Sequence, residues 1–444
     1  MRLSFKGSFG RDLLDILAFL ASQKEVRFYT EQGEEEFSFY ADLEAQKAVE
    51  FAEFVSQNLP HSLFLQDFEV SAQTGEAQRF SSQVVKTEFE FLTPFNLTQN
   101  ADKEAAKAAA DAILRGEEVE FEGVRLRAFD GDFGEYLLST QPQKLGRMVL
   151  VSDEEARLLM AYEKPVLRLK TAALWRSNHP NSPLFVNVRL AWNSRVLTLC
   201  EELSQKVAFL SVTTPALFVV NAFKGGFCVV KNESFLPQMQ RRAAVFAEFE
   251  LNLSKPDSLR VVREGKSFEL VKVRLPQSVE EVLEYVKGYE SGERLVENFS
   301  KNFSLANLEE RLKHSAQPES FARLFELVFA LVFAPKSASE IFELADDSVL
   351  NKGFALDFIR GEDGVFEWGR LFRGAMSYAL AGADERLFAL SFVQGLARFL
   401  GELKEMSQED LGVGEFYLSG EAFAYKKMAQ FSQQFCHAKF ATLI

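Results

Sequence analysis

Residues 1–71 carry apolar patterns in the order strand, helix, strand, strand, helix, strand. Short alternating runs such as RLSFKG indicate strands, and the apolar stripe from Leu13 to Ala21 has helical spacing. The turn EQGEE separates two further alternating runs and predicts a hairpin, because its glycine supplies the backbone freedom that a tight turn needs. This order predicts a small βαββαβ sandwich with both helices on one face of the sheet.

The rest of the chain divides by pattern into a linker, a mixed region and a helical region. Residues 72–100 are polar and loop-like, residues 101–275 combine helices with many β runs, and helices dominate residues 276–444. The pattern between 175 and 275 is mostly β. Since 444 residues are enough for several domains, we expect a multidomain protein of the α/β and α+β classes with these boundaries.

Charge and hydropathy argue against two classes of partner. The chain has 50 Lys+Arg against 64 Asp+Glu, a formal charge of −14, which disfavours nucleic-acid binding because phosphate contacts need a positive field. No run of eighteen apolar residues occurs, and the most apolar segment, FARLFELVFALVFAP, carries Arg323 and Glu326. We therefore expect a buried helix there, and no membrane insertion.

Cysteine and histidine are scarce, with three and four residues respectively. The cysteines show no CxxC spacing and are too few for a disulfide framework, so we expect a cytoplasmic protein. The four histidines include no i,i+4 pair of the kind that holds a metal on one helix, and we expect neither zinc nor iron. They are His61, His179, His314 and His437.

Three further patterns point to a known family. The stretch FKGSFGRDL, which begins at Phe5, resembles the acylphosphatase V-Q-G-V-G-F-R loop before its helix. Residues 112–123 (AILRGEEVEFEG) resemble a YrdC-like opening, and residues 416–423 (FYLSGEAF) resemble the Kae1-like L-S-G-G-V-F-Q-N segment. In this order they resemble HypF, the carbamoyltransferase family of [NiFe]-hydrogenase maturation. The resemblance implies an acylphosphatase-like domain, a reduced YrdC-like α/β domain and a truncated, helix-rich Kae1-like (ASKHA) domain.

Some positions of the family's motifs are retained. Gly7 and Arg11 match the acylphosphatase loop, so the resemblance implies a remnant anion-binding site there. An ordinary surface residue in the first turn of a helix is an equally good interpretation of Arg11. Ser419 and Gly420 match the Kae1-like segment and imply a remnant nucleotide-binding site.

Other positions have lost the family's chemistry. Phe28 stands where the acylphosphatase has the Asn that orients water, and a phenyl ring cannot make that hydrogen bond. Glu122 replaces the phosphate-binding Lys, which reverses the sign of the interaction. Glu421 replaces the second Gly, and Tyr425 replaces an Asn. Residues 72–100 contain no Cys and no His, so the family's zinc finger is absent from them.

These losses predict a degenerate relative that no longer catalyses. Such a chain would be an assembly or scaffold factor in hydrogenase maturation, binding a hydrogenase subunit precursor or maturation proteins without a cofactor. Two alternatives stay open. One is an active carbamoyltransferase that uses ATP and carbamoyl phosphate through altered residues, and the other is an unrelated multidomain α/β binding protein with a fortuitous resemblance.

Overall fold

The computed structural model describes residues 1–7, 11–32, 36–63, 65–71, 91–93, 102–216, 218–224, 226–231, 244–313, 319–437 and 439–440. The protein is a mixed α/β chain with several sheets and many helices, as the sequence predicts. It divides into two units, Met1–Ala216 and Leu217–Thr442. The domain boundaries predicted at residues 71, 100 and 275 stay predictions.

Residues 1–71 form the predicted succession of strands and helices. The described strands make a four-stranded antiparallel sheet in the order β2-β3-β1-β4. Leu3 and Phe5 of the first strand share one core with the buried sides of both helices. The elements are β1 (Arg2–Gly7), α1 (Arg11–Gln23), β2 (Phe28–Gln32), β3 (Glu36–Ala41), α2 (Ala45–Asn58) and β4 (Leu65–Ser71).

The remainder of the first unit contains a mixed sheet. Its strands follow one another in the order β8-β9-β7-β10-β6-β5, with β7 and β9 parallel. The strands are β5 (Val119–Phe121), β6 (Val124–Ala128), β7 (Tyr136–Ser139), β8 (Val166–Lys170), β9 (Phe185–Arg189) and β10 (Phe209–Val212). The helices are α3 (Lys103–Leu114), α4 (Asp153–Leu159), α5 (Ala173–Asn178) and α6 (Ser194–Leu203).

Side-chain caps fix the start of three of these helices, α3, α4 and α6. Ser152 and Glu155 form a capping box at α4. Asn193 caps α6 by accepting from the Val196 N–H. The region 175–275 contains seven described strands, as its mostly β pattern predicts, whereas the sequence pattern did not indicate helices α5 and α6.

The second unit combines a hairpin, a sheet and a large helical body. Its sheet has the order β15-β14-β13-β16-β17, and β13 and β16 are parallel. The strands are β11 (Phe218–Phe223), β12 (Gly226–Lys231), β13 (Val245–Glu250), β14 (Ser258–Arg263), β15 (Lys266–Val271), β16 (Glu415–Ser419) and β17 (Lys439–Phe440). The helices are α7 (Val279–Lys287), α8 (Gly292–Asn302), α9 (Ala306–Leu312), α10 (Phe321–Val332), α11 (Ala338–Asp347), α12 (Trp368–Leu380), α13 (Glu385–Leu411) and α14 (Lys426–Cys436).

Phenylalanine dominates the core of the second unit. Phe321, Phe325 and Phe329 lie one turn apart on α10 and are almost fully buried. Phe325 stacks on Phe392 of α13 with ring centroids 4.9 Å apart. The apolar segment 321–335 therefore begins with a buried helix, as predicted. Among the helices that the structure describes, none is both long enough and apolar enough to cross a membrane.

Candidate functional site

The N-terminal candidate positions lie around the first strand and helix. Gly7 ends β1 and Arg11 begins α1, but the loop between them and the Arg11 side chain lie outside the described residues. Phe28 begins β2 and is only 3% exposed. Its ring stacks on Phe39 at 4.8 Å between centroids. The position expected to carry a water-orienting amide is therefore part of the hydrophobic core.

Glu122 occupies a tight hairpin turn between β5 and β6. Its φ is 50° and that of Gly123 is 75°, the pair of positive angles that such a two-residue turn requires. The carboxylate accepts from the Asn193 side-chain amide and from the Arg195 guanidinium, each at 2.8 Å. Glu122 thus joins the hairpin to the start of α6.

A group of cations lies elsewhere on the same sheet. Arg168 and Lys170 of β8 and Arg189 of β9 alternate with buried residues and share one face with Asn187. All four side chains are half-buried. We call Arg168, Lys170, Asn187 and Arg189 the cationic strip. The sequence motifs did not reveal it, although the alternating polar positions in VLRLK and FVNVR carry the signal.

Aromatic rings and backbone groups position the strip. The Arg168 guanidinium lies 5.1 Å from the centre of the Phe185 ring, and that of Arg189 lies 4.3 Å from the Trp192 ring. Arg189 Nε also donates to the Lys164 carbonyl at 2.7 Å. The cations of the strip are thus held by aromatic rings and by a backbone carbonyl, on a partly buried face of the sheet.

In the second unit, parallel pairing of β13 and β16 brings Ser419 and Gly420 against the turn that follows β13. The Leu251 N–H donates to the Ser419 carbonyl at 2.9 Å. Gly420 has a φ of 105°, and a Cβ at this position would lie 2.2 Å from the Leu251 carbonyl oxygen. Only glycine fits there, so the retained Gly420 is explained by close approach of two backbones.

The substituted residues beside Gly420 have partners inside the protein. The Glu421 carboxylate accepts from the Leu253 N–H at 3.0 Å, the Ser254 N–H at 3.2 Å and the Ser254 hydroxyl at 3.0 Å. Tyr425 is 5% exposed, and its ring lies 5.1 Å from that of Phe342. One replacement therefore binds the turn, and the other belongs to the core.

A buried ion pair supports this region from behind. Arg260 of β14 donates to one oxygen of Glu248 of β13 from Nε at 3.0 Å and from Nη2 at 2.6 Å, while Ser419 Oγ lies 3.5 Å from the other oxygen. The Glu248 side chain is 1% exposed. Burial raises the pKa of Glu248, and the hydrogen bonds from Arg260 oppose that shift.

Another buried carboxylate anchors the same turn. Asp257 accepts from the Asn252 N–H at 2.7 Å and from the Phe321 N–H at 2.6 Å, at the first residue of α10. Burial raises the pKa of Asp257 to about 7. The turn 251–257 is therefore tied to both β16 and α10.

The described residues do not fit the family's metals. In the part of the chain that the structure describes, no three His, Cys, Asp or Glu side chains converge as metal ligands would. His61, His179 and His437 are exposed and widely separated in sequence, and His314 lies outside the described residues. Residues 72–100, which lack Cys and His, are described only at 91–93.

The three cysteines do not form a catalytic thiol site. All of them are free and buried. Burial raises the pKa of Cys200 and of Cys436 to about 12, and raises that of Cys228 as well. A thiol held in the protonated form is a poor nucleophile.

Comparison with known proteins identifies the fold. No family model matches the chain, and no curated protein matches its sequence. The crystal structure of T. kodakarensis HypF superposes with a TM-score of 0.56 at 11% identity, covering 99% of this chain and 95% of that one. The chain has the HypF fold. The prediction of a HypF-like, multidomain α/β chain is thus confirmed at the level of the fold.

A second HypF structure is also similar. It is full-length HypF in the phosphate- and nucleotide-bound form, with a TM-score of 0.48, 10% identity, and coverage of 98% of this chain and 93% of that one. The domain names and the site residues predicted from the sequence are not tested by these likenesses and stay predictions.

Proposed function

We propose that this chain is a non-catalytic assembly or scaffold factor in [NiFe]-hydrogenase maturation. It would act in the cytoplasm and bind a hydrogenase subunit precursor or hydrogenase maturation proteins, without nucleic acid and without a cofactor. Its parts would correspond to an acylphosphatase-like domain, a reduced YrdC-like domain and a truncated Kae1-like domain. The HypF fold over nearly the whole chain supports this setting.

One observation carries the non-catalytic part of the proposal. At the described positions where the family's chemistry is replaced, the new side chain is engaged inside the protein. Phe28 and Tyr425 pack in cores, and Glu122 and Glu421 accept hydrogen bonds from neighbouring segments. A group committed to packing or internal hydrogen bonds is poorly placed to stabilise a transition state, which needs donors or cations aimed at developing charge.

The binding role is tested by capture from the native host. Full-length tagged chain is purified under conditions in which hydrogenase is expressed, and the bound proteins are identified by mass spectrometry. The proposal predicts recovery of a hydrogenase subunit precursor or a maturation protein at levels well above those with the tag alone. Recovery of neither, from cells shown to contain both, would contradict it.

The alternative is an active carbamoyltransferase that uses ATP and carbamoyl phosphate. The place to test it is the cationic strip, whose Arg168, Lys170 and Arg189 are partly buried cations on one face of the sheet. This alternative predicts AMP formation that requires carbamoyl phosphate and falls in a Lys170→Met variant of the strip. A matched Lys206→Met variant, at an exposed site in the same unit, would keep full activity.

A further inference from the structure

We propose that Glu421 is a built-in anion that occupies an oxyanion-binding turn at residues 253–255 and so closes it to external phosphate groups. The ligand class is a phosphate oxyanion, either free or as part of a larger molecule. The inference goes beyond the scaffold role and does not depend on it, because it concerns a site within the isolated chain.

The donors of this turn converge on one carboxylate. Two successive backbone N–H groups, from Leu253 and Ser254, point at the same oxygen of Glu421, at 3.0 and 3.2 Å. The Ser254 hydroxyl lies 3.0 Å from each oxygen. Successive N–H groups with an adjacent hydroxyl form the type of concave donor set that binds phosphate in many proteins.

The residue after these donors is a cation. Lys255 follows Ser254, and its Nζ lies 3.9 Å from Glu250 Oε1. The side chains of Ser254 and Lys255 are exposed, so solutes can approach the turn from solvent. A tetrahedral oxyanion in place of the Glu421 carboxylate would accept the same hydrogen bonds from the turn.

The backbone conformation of Gly420 positions Glu421 beside the turn at residues 253–255. Gly420 is in a left-handed conformation against Leu251, and the Ala422 N–H donates to the Leu251 carbonyl at 3.1 Å. The Glu421 carboxylate therefore meets a turn that lies 167 residues earlier in the chain. A carboxylate fixed by its own backbone has a high effective concentration and excludes a weakly bound external anion.

The simpler interpretation is that Glu421 only caps a turn. Both interpretations predict that removing the carboxylate loosens the turn, but only ours predicts that phosphate then restores it. The test compares wild-type chain with Glu421→Ala and with Glu269→Ala, which removes the same charge from an exposed strand position of the same unit. Thermal unfolding is measured with and without inorganic phosphate, and 31P line widths report direct binding.

Phosphate stabilises most proteins weakly by exclusion, so the informative quantity is the difference between the variants. We expect phosphate in tenfold excess over its Kd to raise the Tm of Glu421→Ala by about 3 °C more than that of Glu269→Ala. We expect phosphate to raise the Tm of the wild-type chain by the same amount as that of Glu269→Ala. We also expect the wild-type chain not to broaden the 31P signal of phosphate.

Equal responses of the wild-type chain and Glu421→Ala would overturn the inference, as would a folded Glu421→Ala that does not respond. Should Glu421→Ala fail to fold, Glu421→Ser is measured in its place. Its side chain lacks the carboxylate and is two atoms shorter, so it leaves the donors of the turn open, and the same increase in phosphate response is required of it.

Discussion

Loss of Arg260 would leave Glu248 as an almost fully buried carboxylate with a weakened set of partners. In Arg260→Met the apolar stem is kept, but both guanidinium hydrogen bonds to Glu248, at 3.0 and 2.6 Å, are removed. The remaining side-chain contact that we describe is Ser419 Oγ at 3.5 Å. Breaking a buried pair in this way costs about 3–5 kcal/mol, because the charge left behind stays desolvated.

The pH dependence separates charge burial from lost packing. Burial already raises the pKa of Glu248 in the folded chain, and without Arg260 the opposing influence is gone, so the pKa rises further. A folded-state pKa above the unfolded value means that protonation favours the folded state. The loss of folding stability in Arg260→Met is therefore greatest at pH values above the raised pKa of Glu248. It becomes smaller as the pH falls toward the pKa that Glu248 has in the unfolded chain.

Hydrogen exchange of the β13 and β14 amides measures the opening free energy of this sheet directly. Arg263→Met is the matched control, since Arg263 is exposed at the end of the same strand, and we expect a change within about 0.5 kcal/mol. Glu248→Gln combined with Arg260→Met should recover about 2 kcal/mol, because no charge is then buried. A loss below about 1 kcal/mol that does not vary with pH would refute this reasoning.

The other predictions concern close packing and thiol burial. Gly420→Ala should lower the free energy of unfolding by about 3 kcal/mol, because it adds backbone strain and a clash with Leu251. Gly412→Ala, which has open space around it, should lower it by about 1 kcal/mol. Equal hydrogen exchange of the β16 amides in the two variants would contradict this. Phe28→Asn should lower the free energy of unfolding by about 3 kcal/mol, measured by thermal unfolding, and should not create acyl phosphate hydrolysis. Unchanged stability of this variant would contradict the burial of Phe28 in the core. A thiol reagent at mildly alkaline pH should modify none of the three cysteines in the folded chain and all of them in denaturant, and rapid labelling before unfolding would contradict their burial.

Local patterns predicted the N-terminal module well. Alternation around EQGEE predicted the hairpin strands that are seen at Phe28–Gln32 and Glu36–Ala41. These features depend on residues a few positions apart, which a single sequence displays directly.

Helix α6 was missed although its signal was present. Val196, Leu199, Cys200 and Leu203 are buried at helical spacing behind the cap Asn193. Runs with β-like alternation flank this helix on both sides. Its helical periodicity extends over only ten residues, which is too short to identify a helix within a region of mostly β pattern.

The surroundings of Gly420 could not be predicted, for a different reason. The pairing of Glu248 with Arg260 depends on the register of β13 and β14, and the contact of Glu421 with Ser254 depends on parallel pairing of β13 with β16. The strands β13 and β16 are far apart in the chain, and sequence motifs carry no register between distant strands. The motif at residues 416–423 therefore located the retained glycine but not the role of the glutamate beside it.

The central claim is that a HypF fold is kept here without HypF chemistry, and AMP formation tests it most directly. Purified full-length chain is incubated with ATP, Mg²⁺ and carbamoyl phosphate, and AMP is quantified against a reaction without protein. Our account predicts AMP no higher than in that blank. AMP that accumulates over many turnovers, requires carbamoyl phosphate and is lost in Lys170→Met would contradict it and establish an active transferase.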